Sequence, residues 1–285
     1  MNNPIIILGN GGHASVLTEI LLLQGRKILG FTAPEEQRNP YGLGYLGTDE
    51  MIRTFNPEKV DLVLGLGTVN ISYVRQSIYE DLKNQGYTFA TCIHPTAIIS
   101  ATARLAEGVQ VMAGVIVQPH VRIGENTIIN TGSIIEHDCV IGSHIHIAPG
   151  TTISGSVIIG NGSHIGTGSS IIQGIEIGGN SLIGAGAVVI SNIGTNKKAI
   201  EWLFSGDTGS SSKAICAHML GIKNKDMCSY PSDPYDLGRC LRLLRLIPEW
   251  SPRIKEMAVY SAGWAGQVEK WDELAESMRN EVGID

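Results

Sequence analysis

The chain has 285 residues, which is enough for two or three domains. Its net charge of −6 and its lack of any basic run disfavour nucleic-acid and anionic-membrane partners, and no apolar stretch is long enough to span a bilayer. The five cysteines are scattered without CxxC spacing, which is typical of reduced thiols, and the N-terminus lacks the basic region of a signal peptide. We therefore expect a cytoplasmic protein.

Residues 1–91 alternate between strand and helix signals. Apolar runs at 4–8, 27–31 and 60–65 predict buried strands. An apolar segment that follows the first run predicts one helix, and the segment from about 72 to 85 predicts a second. Such alternation favours a small parallel sheet with helices on its faces, which is a Rossmann-like α/β domain.

A glycine-rich turn joins the first strand to the first helix. Gly9, Gly11, Gly12 and His13 stand there, in a GxGG spacing that is shorter than the full dinucleotide fingerprint. A turn of this kind leaves room for a phosphate at the helix N-terminus, although a tight turn with no ligand explains the same residues.

Residues 92–193 carry an internal repeat. Every sixth residue from 99 to 189 is Ile, Val or Leu, and the residue two places earlier is mostly small or β-branched. A six-residue period fits neither a helix nor a flat sheet. It fits a chain that turns a corner after each short strand, so that three strands close a triangular coil of about 18 residues. The sixteen repeats predict about five stacked coils with the aliphatic side chains inside.

The best candidate for chemistry is the segment Glu136-His137-Asp138 on this repeat. His137 follows an inward aliphatic by two residues, which places it near a corner and facing out. A carboxylate bonded to one ring nitrogen strengthens the other nitrogen as a base. Gly155 lies 18 residues further on and is expected to stack one coil above His137.

Two further histidines lie on another side of the coil. His146 is half a coil from His137, and His164 is expected to stack one coil above His146. His137 and His146 would not meet within one subunit, but they could meet across the groove of a symmetric trimer. A zinc site with three interfacial histidines is an alternative, but nothing in the sequence marks a third ligand. A non-catalytic scaffold or an ice-binding rod also remains open.

Residues 194–285 break the pattern. The repeat ends, a Gly/Ser-rich stretch follows at 205–212, and all four tryptophans lie in this part of the chain. Apolar spacing at 236–247 and 265–279 predicts amphipathic helices. We expect a helical C-terminal module of unknown role, fused to the repeat domain, that either caps its last coil or hangs free.

Residues 1–193 resemble the nucleotide-sugar and sialic-acid acetyltransferases of bacterial surface-glycan pathways (lipopolysaccharide and capsule). The resemblance rests on Ile7-Leu8-Gly9-Asn10-Gly11-Gly12-His13-Ala14, His94-Pro95-Thr96-Ala97, Asn130-Thr131-Gly132-Ser133-Ile134-Ile135-Glu136-His137-Asp138 and Gly184-Ala185-Gly186-Ala187-Val188-Val189. It implies a Rossmann-like domain followed by a left-handed parallel β-helix, a homotrimer with active sites between subunits, and acetyl-CoA as co-substrate without a metal.

The resemblance also implies roles for individual residues. His137 matches the general base and Asp138 the carboxylate that orients it. His146, Gly155, Gln173 and Gly174 match acetyl-CoA contacts, with Gly155 holding the thioester carbonyl through its N–H. The turn at Gly9, Gly11, Gly12 and His13 matches the cradle for the sugar nucleotide.

The chain departs from this family in two places. The family usually carries an acidic residue after the second strand, where this chain reads Phe31-Thr32-Ala33-Pro34, and it usually ends its β-helix with a Gly-x-Pro-Ala segment that is missing here. Three functions therefore remain open. They are N-acetylation of a nucleotide-linked amino sugar, O-acetylation of a sialic acid or similar sugar acid, and an inactive β-helix scaffold.

Overall fold

The computed structural model describes residues 3–68, 71 and 73–199. The predicted C-terminal helices, beyond residue 199, lie outside these residues. Within the described ranges, no helix combines the length and the apolar character that crossing a bilayer requires.

The N-terminal domain is the predicted α/β unit. Its elements are β1 (Ile5–Leu8), α1 (Gly12–Leu23), β2 (Ile28–Thr32), a 3-10 helix (Asp49–Thr54), β3 (Asp61–Leu64), α2 (Tyr73–Asn84) and β4 (Thr88–Phe89). The strands form a parallel sheet in the order β2-β1-β3-β4. All four residues of β1 are buried, because helices cover both faces of this central strand.

The strand order reverses between β1 and β3. The chain moves from β1 to β2 on one side and then to β3 on the other, so the loops after β1 and β3 lie side by side. A Cβ on Gly9 would lie 3.5 Å from the carbonyl oxygen of Gly65, so the two loops are in contact. The crevice at such a reversal is where open α/β sheets bind ligands.

The repeat domain is a parallel β-solenoid of six turns, one more than the sequence predicts. Eighteen two-residue strands form three flat faces of five, six and seven strands. The five-stranded face holds β7 (Arg104–Leu105), β10 (Arg122–Ile123), β13 (Val140–Ile141), β16 (Ile158–Ile159) and β19 (Glu176–Ile177). The six-stranded face holds β6 (Ile98–Ile99), β9 (Ile116–Val117), β12 (Ile134–Ile135), β15 (Thr152–Ile153), β18 (Ser170–Ile171) and β21 (Val188–Val189). The seven-stranded face holds β5 (Cys92–Ile93), β8 (Gln110–Val111), β11 (Ile128–Ile129), β14 (His146–Ile147), β17 (His164–Ile165), β20 (Leu182–Ile183) and β22 (Lys198–Ala199).

The six-residue repeat places the solenoid core as predicted. From Val111 to Val189, every repeat aliphatic is buried in one continuous cluster, and Ile99 and Leu105 pack against its open end. Residues at two positions of the repeat support the stacking. The first position directly follows an aliphatic and is often glycine, because a Cβ there, for example on Gly166, would lie within 3 Å of the next coil's backbone. The residue three places after the aliphatic takes a left-handed conformation that turns the corner, as Gly132 and Asp138 do.

The last turn is shorter than the others. Leu182 pairs with Lys198, an offset of 16 residues, whereas Ser170 pairs with Val188, an offset of 18. The isolated bridge between Ile177 and Ile193 has the same short offset. The six-residue spacing therefore fails after Val189 although the coil itself continues to Ala199. Together with β5, which lies before the first counted repeat at Ile99, this last strand raises sixteen repeats to eighteen strands.

The N-terminal domain packs on the seven-stranded face. Met112 and Ile128 of that face join the core beneath α1, where they contact residues such as Leu17. Polar contacts seal the boundary, since Gln110 Nε2 donates to the carbonyl oxygen of Leu64 (2.9 Å) and Lys83 Nζ donates to Glu107 (2.8 Å). One face of the solenoid is thus covered and the opposite corner stays open.

Candidate active site

His137 occupies the open corner of the solenoid. It follows β12 and precedes β13, so it lies between the six-stranded and five-stranded faces and faces outward as predicted. Its Nδ1–H donates to Oδ2 of Asp138 at 2.8 Å, and both side chains are about half exposed (52% and 53%). Because a carboxylate only accepts, this bond fixes the proton on Nδ1 and leaves Nε2 as the acceptor.

The backbone at this corner is tied to the coils on either side. Asp138 has a left-handed φ of 61°, and its N–H donates to the carbonyl oxygen of Pro119 in the previous coil (3.1 Å). The carbonyl oxygen of His137 accepts from the N–H of Ser156 in the next coil (2.9 Å). The imidazole and its carboxylate therefore stand on a rigid turn, although both are exposed.

Gly155 lies directly over the ring, as the 18-residue spacing predicts. A Cβ at this position would lie 2.7 Å from Cε1 and Nε2 of His137, closer than real Cβ atoms approach. Only glycine permits the observed ring position here. The residue is buried, and its backbone amide donates to no carbonyl within the described residues.

Gln173 and Gly174 continue the same corner upward. The N–H of Gly174 donates to the carbonyl oxygen of Gly155 (3.0 Å), and Gln173 lies in the coil above with its side chain exposed. His137, Gly155 and Gln173 thus form one column along the open corner. The structure brings these sequence-predicted residues together along one corner, where His137, Gln173 and Gly174 are exposed and Gly155 is buried.

Cys139, next to this site, belongs to the core. It is fully buried, its Sγ–H donates to the carbonyl oxygen of Ser154 (3.2 Å), and burial raises the pKa of the thiol. A buried thiol with a raised pKa is a poor nucleophile.

We predict that Cys139→Ala keeps turnover within about threefold of wild type while it lowers the unfolding free energy by about 1 kcal/mol through lost packing. Steady-state assays and chemical denaturation check both effects. A hundredfold loss of turnover in a folded variant would instead assign the thiol a covalent role.

His146 lies on the other side of the solenoid. It stands on β14 of the covered face, is 9% exposed, and stacks edge-on against His164 one coil above, with ring centroids 5.0 Å apart. Its Nδ1 lies 2.8 Å from Oγ1 of Thr68, which belongs to the loop after β3, and its Nε2 lies 3.3 Å from Nδ2 of Asn130. Sequence reasoning missed both partners, because neither belongs to a motif with a defined spacing to His146.

These contacts fix the tautomer of His146. Oδ1 of Asn130 accepts from the backbone N–H of Thr131 (2.8 Å), so the amide group turns its NH₂ toward His146. The NH₂ donates to Nε2, hence Nδ1 carries the proton and donates to Thr68. Burial, followed by His164, His13 and Arg75, lowers the pKa of His146 to about 3, so the ring is neutral. Both ring nitrogens are already used, and the predicted acetyl-CoA contact of His146 stays a prediction.

The glycine turn after β1 lies on this covered side as well. Gly11 caps α1 without a side-chain hydrogen bond, the first turn holds no acidic residue, and a Cβ on Gly11 or Gly12 would meet nothing within 4 Å. An uncapped helix N-terminus with open space before it suits an anion. His13 follows in α1, where its Nε2 bonds Oε1 of Gln110 (2.8 Å) on the seven-stranded face.

A carboxylate does stand beside the end of β2, although not at the expected sequence position. Oδ1 of Asp49 accepts from Oγ1–H of Thr32, and the carbonyl oxygen of Thr32 accepts from the N–H of Gly9 (2.9 Å). Asp49 belongs to the 3-10 helix, 17 residues after Thr32. The sequence does not reveal this placement, because it depends on how that helix folds back.

The two groups of predicted site residues lie apart within one chain. His137, Asp138 and Gly155 occupy the open corner. His146 lies on the opposite, seven-stranded face, and His13 lies in α1 of the N-terminal domain, against that face. Gln173 and Gly174 lie with the first group at the open corner, and the glycine turn at 9–12 lies with the second group on the covered side. Among the described residues there is no cluster of His, Cys, Asp and Glu suited to hold a metal ion.

The buried histidines predict a pH dependence of stability. Burial, followed by the charge of Arg75, lowers the pKa of His13 to about 4, and the pKa of His146 falls to about 3. Unfolding restores ordinary values near 6.5, so below that pH the unfolded chain binds more protons than the folded chain. The contribution of these two histidines to the free energy of unfolding is therefore fully present above pH 6.5, and it declines as the pH falls toward 4.

We expect the melting temperature to fall by about 5 °C or more between pH 7.5 and 5. A His146→Gln variant should show a shallower fall, and His120→Gln, at an exposed corner, should leave the slope unchanged. If the melting temperature fell equally with pH in the wild type and in both variants, His146 would not be a cause of the pH dependence.

Comparison with known proteins identifies the family. Residues 4–82 match the PglD N-terminal domain, and residues 102–137 and 120–155 match the bacterial transferase hexapeptide (six repeats). The acetyltransferase domain of PglB from Neisseria gonorrhoeae, solved with acetyl coenzyme A, is 30% identical with a TM-score of 0.66, over 70% of this chain and 96% of that one. GDP-perosamine N-acetyl transferase from Caulobacter crescentus, solved as a histidine-to-alanine variant with CoA and GDP-perosamine, is 31% identical with a TM-score of 0.66, over 70% and 94%.

This chain belongs to the hexapeptide-repeat sugar acetyltransferases. It is an acyltransferase by family, as the resemblance of residues 1–193 implies. WeeI from Acinetobacter baumannii, 20% identical over 69% of this chain and 96% of its own with a TM-score of 0.62, shares the fold. No curated protein matches the chain significantly.

Proposed function

We propose that this sugar acetyltransferase moves the acetyl group of acetyl-CoA to the amino group of a nucleotide-linked amino sugar. The observation that carries the proposal is the column at the open corner, where an exposed imidazole oriented by Asp138 lies against Gly155, whose backbone N–H has no carbonyl partner among the described residues. A base and an oxyanion donor placed side by side are what acyl transfer from a thioester requires.

The reaction runs as a direct transfer. An amine attacks the thioester carbonyl carbon, and Nε2 of His137 accepts the proton that the nitrogen loses. The N–H of Gly155 donates to the carbonyl oxygen as it becomes an oxyanion. The tetrahedral intermediate then expels the CoA sulfur, which takes a proton from the imidazolium. Asp138 keeps the proton on Nδ1 and stabilises the transient positive charge.

The separation of the two residue groups supports a shared site. The solenoid is taken to be left-handed and the protein a homotrimer, so that the open corner of one copy faces the covered side of its neighbour. The neighbour then supplies the glycine turn at 9–12 for the sugar nucleotide and His146 near the thioester. Gln173 and Gly174 extend the edge along which acetyl-CoA lies. Both substrates are cytoplasmic metabolites, which supports action in the cytoplasm.

The choice of an amine acceptor rests on the relatives. The Caulobacter protein is named as an N-acetyl transferase and was solved with GDP-perosamine, a nucleotide-linked sugar. A base serves either acceptor, because an amine and a hydroxyl both lose a proton when they are acetylated.

A thiol-release assay with acetyl-CoA tests the proposal. We expect turnover with UDP- or GDP-linked 4-amino sugars and an amide in the product by NMR. Turnover with sialic acids alone would replace the proposal by O-acetylation. No turnover with either class of acceptor, in protein that binds acetyl-CoA, would favour the third alternative, an inactive β-helix scaffold.

A further inference from the structure

Arg75 is a buried cation without a counter-charge. It lies in the first turn of α2, is 5% exposed, and uses Nη1 to donate to the carbonyl oxygens of Leu64 (2.8 Å) and Leu66 (2.6 Å). Its Nε and Nη2 have no partner within the described part of the chain, and no carboxylate there forms an ion pair with it. A buried unpaired charge costs several kcal/mol unless an opposite charge joins it.

The surroundings of Arg75 are neutral. Cys92 is the titratable group that acts on Arg75 most. Burial raises the pKa of the Cys92 thiol to about 12, so the thiol is uncharged. Burial lowers the pKa of His164, and the nearby His13 and His146 are neutral as well. The first turn of α2 adds no acidic side chain.

His164 lines the same pocket as Arg75 and also carries an unpaired polar atom. His164 is 7% exposed, and its Nδ1 has no partner among the described residues. Arg75, His164, Thr68 and Ser163 line a narrow pocket between α2 and the seven-stranded face, with a volume of about 20 Å³. That volume suits the oxygen edge of an anion and is far too small for a nucleoside. Glu80 and Glu125 do not line this pocket, since Glu80 lies 3.8 Å from His144 and Glu125 accepts from the hydroxyl of Tyr79 (3.0 Å).

We propose that this pocket is an anion site that takes the oxygen edge of a phosphate, held by the guanidinium of Arg75 and by His164. The planar guanidinium suits an oxyanion better than an ammonium does, because two of its N–H groups can donate side by side. The loop at 65–68 carries both the Thr68 contact to His146 and the Leu66 carbonyl group that accepts from Arg75, so a bound phosphate would also fix the orientation of His146.

The phosphate has two sources, which are free inorganic phosphate and a phosphate group of a substrate. Phosphorus NMR line broadening of inorganic phosphate on the full chain, in chloride-free buffer, measures the site without turnover. A failure of acetyl transfer therefore does not affect this test. Competition by UDP, GDP or CoA at equal ionic strength assigns the pocket to that substrate's phosphate, and no competition assigns it to free phosphate.

Variants locate the binding. We expect Arg75→Gln to weaken phosphate binding at least tenfold, and Arg53→Gln, an exposed arginine paired with Asp81, to leave it unchanged. Since Arg75→Gln can disturb the loop carbonyls, His164→Phe provides a second variant that keeps the ring volume, with an expected threefold or greater loss. Absence of broadening with the wild-type chain, or equal weakening in the Arg53 variant, would overturn the proposal.

Discussion

Replacing His137 with asparagine lowers kcat for acetyl transfer by about a hundredfold or more, because asparagine cannot accept the proton of the attacking nitrogen. The side chain can still bond Asp138 and fits the space under Gly155, so the corner keeps its shape. KM values for both substrates should change little, since the imidazole acts on the transferred proton rather than on binding. Steady-state thiol release across a pH series checks the result.

His120→Asn is the matched control for this prediction. His120 is also an exposed corner histidine, one coil below, with a left-handed φ of 64° that asparagine tolerates. Its turnover should equal wild type. Near-normal turnover in the His137 variant, with circular dichroism unchanged, would remove His137 from the role of base.

Gly155→Ala abolishes most activity for a different reason. The added Cβ would lie 2.7 Å from the ring of His137, so the imidazole has to leave the position in which Asp138 orients it. Misplacing a base by about 1 Å costs about a hundredfold in rate. We expect a loss of this size in kcat, together with a weakened response to acetyl-CoA, while the solenoid stays folded because the ring can swing outward.

Gly44→Ala controls for the loss of a glycine as such. A Cβ at Gly44 meets no atom within 4 Å, and its φ is not left-handed, so activity and stability should stay at wild-type values. Turnover of Gly155→Ala within threefold of wild type would show that the corner tolerates a shifted ring. The proposed use of this column in catalysis would then fail.

The repeat made the solenoid and its open corner predictable. Coils stack by translation, so residues 18 apart must lie over one another, and the contact of Gly155 with His137 follows from counting alone. The same logic correctly stacks His164 over His146. The count of turns came out too low, since the counted run began at Ile99, one strand after β5, and the spacing changes to 16 in the last coil.

Contacts between the domains were not predictable in this way. Which face the N-terminal domain covers depends on pairs such as His13 with Gln110 and Thr68 with His146, which are 97 and 78 residues apart and follow no period. Burial of His146 and the unpaired charge of Arg75 both result from that packing. The carboxylate of Asp49 beside Thr32 likewise depends on tertiary folding.

The central claim is that catalysis needs two copies of the chain, and subunit complementation tests it most directly. One variant, His137→Asn, loses the base. The other, Gly12→Glu, puts a carboxylate at the open N-terminus of α1, where it repels a substrate phosphate without clashing. Each alone should be nearly inactive. Co-expressed with two tags and purified on both, the mixed oligomer should recover at least tenfold more activity than either parent, because some sites then combine an intact corner with an intact glycine turn. Activity no greater than that of the parents would place the whole site within one copy and contradict the account.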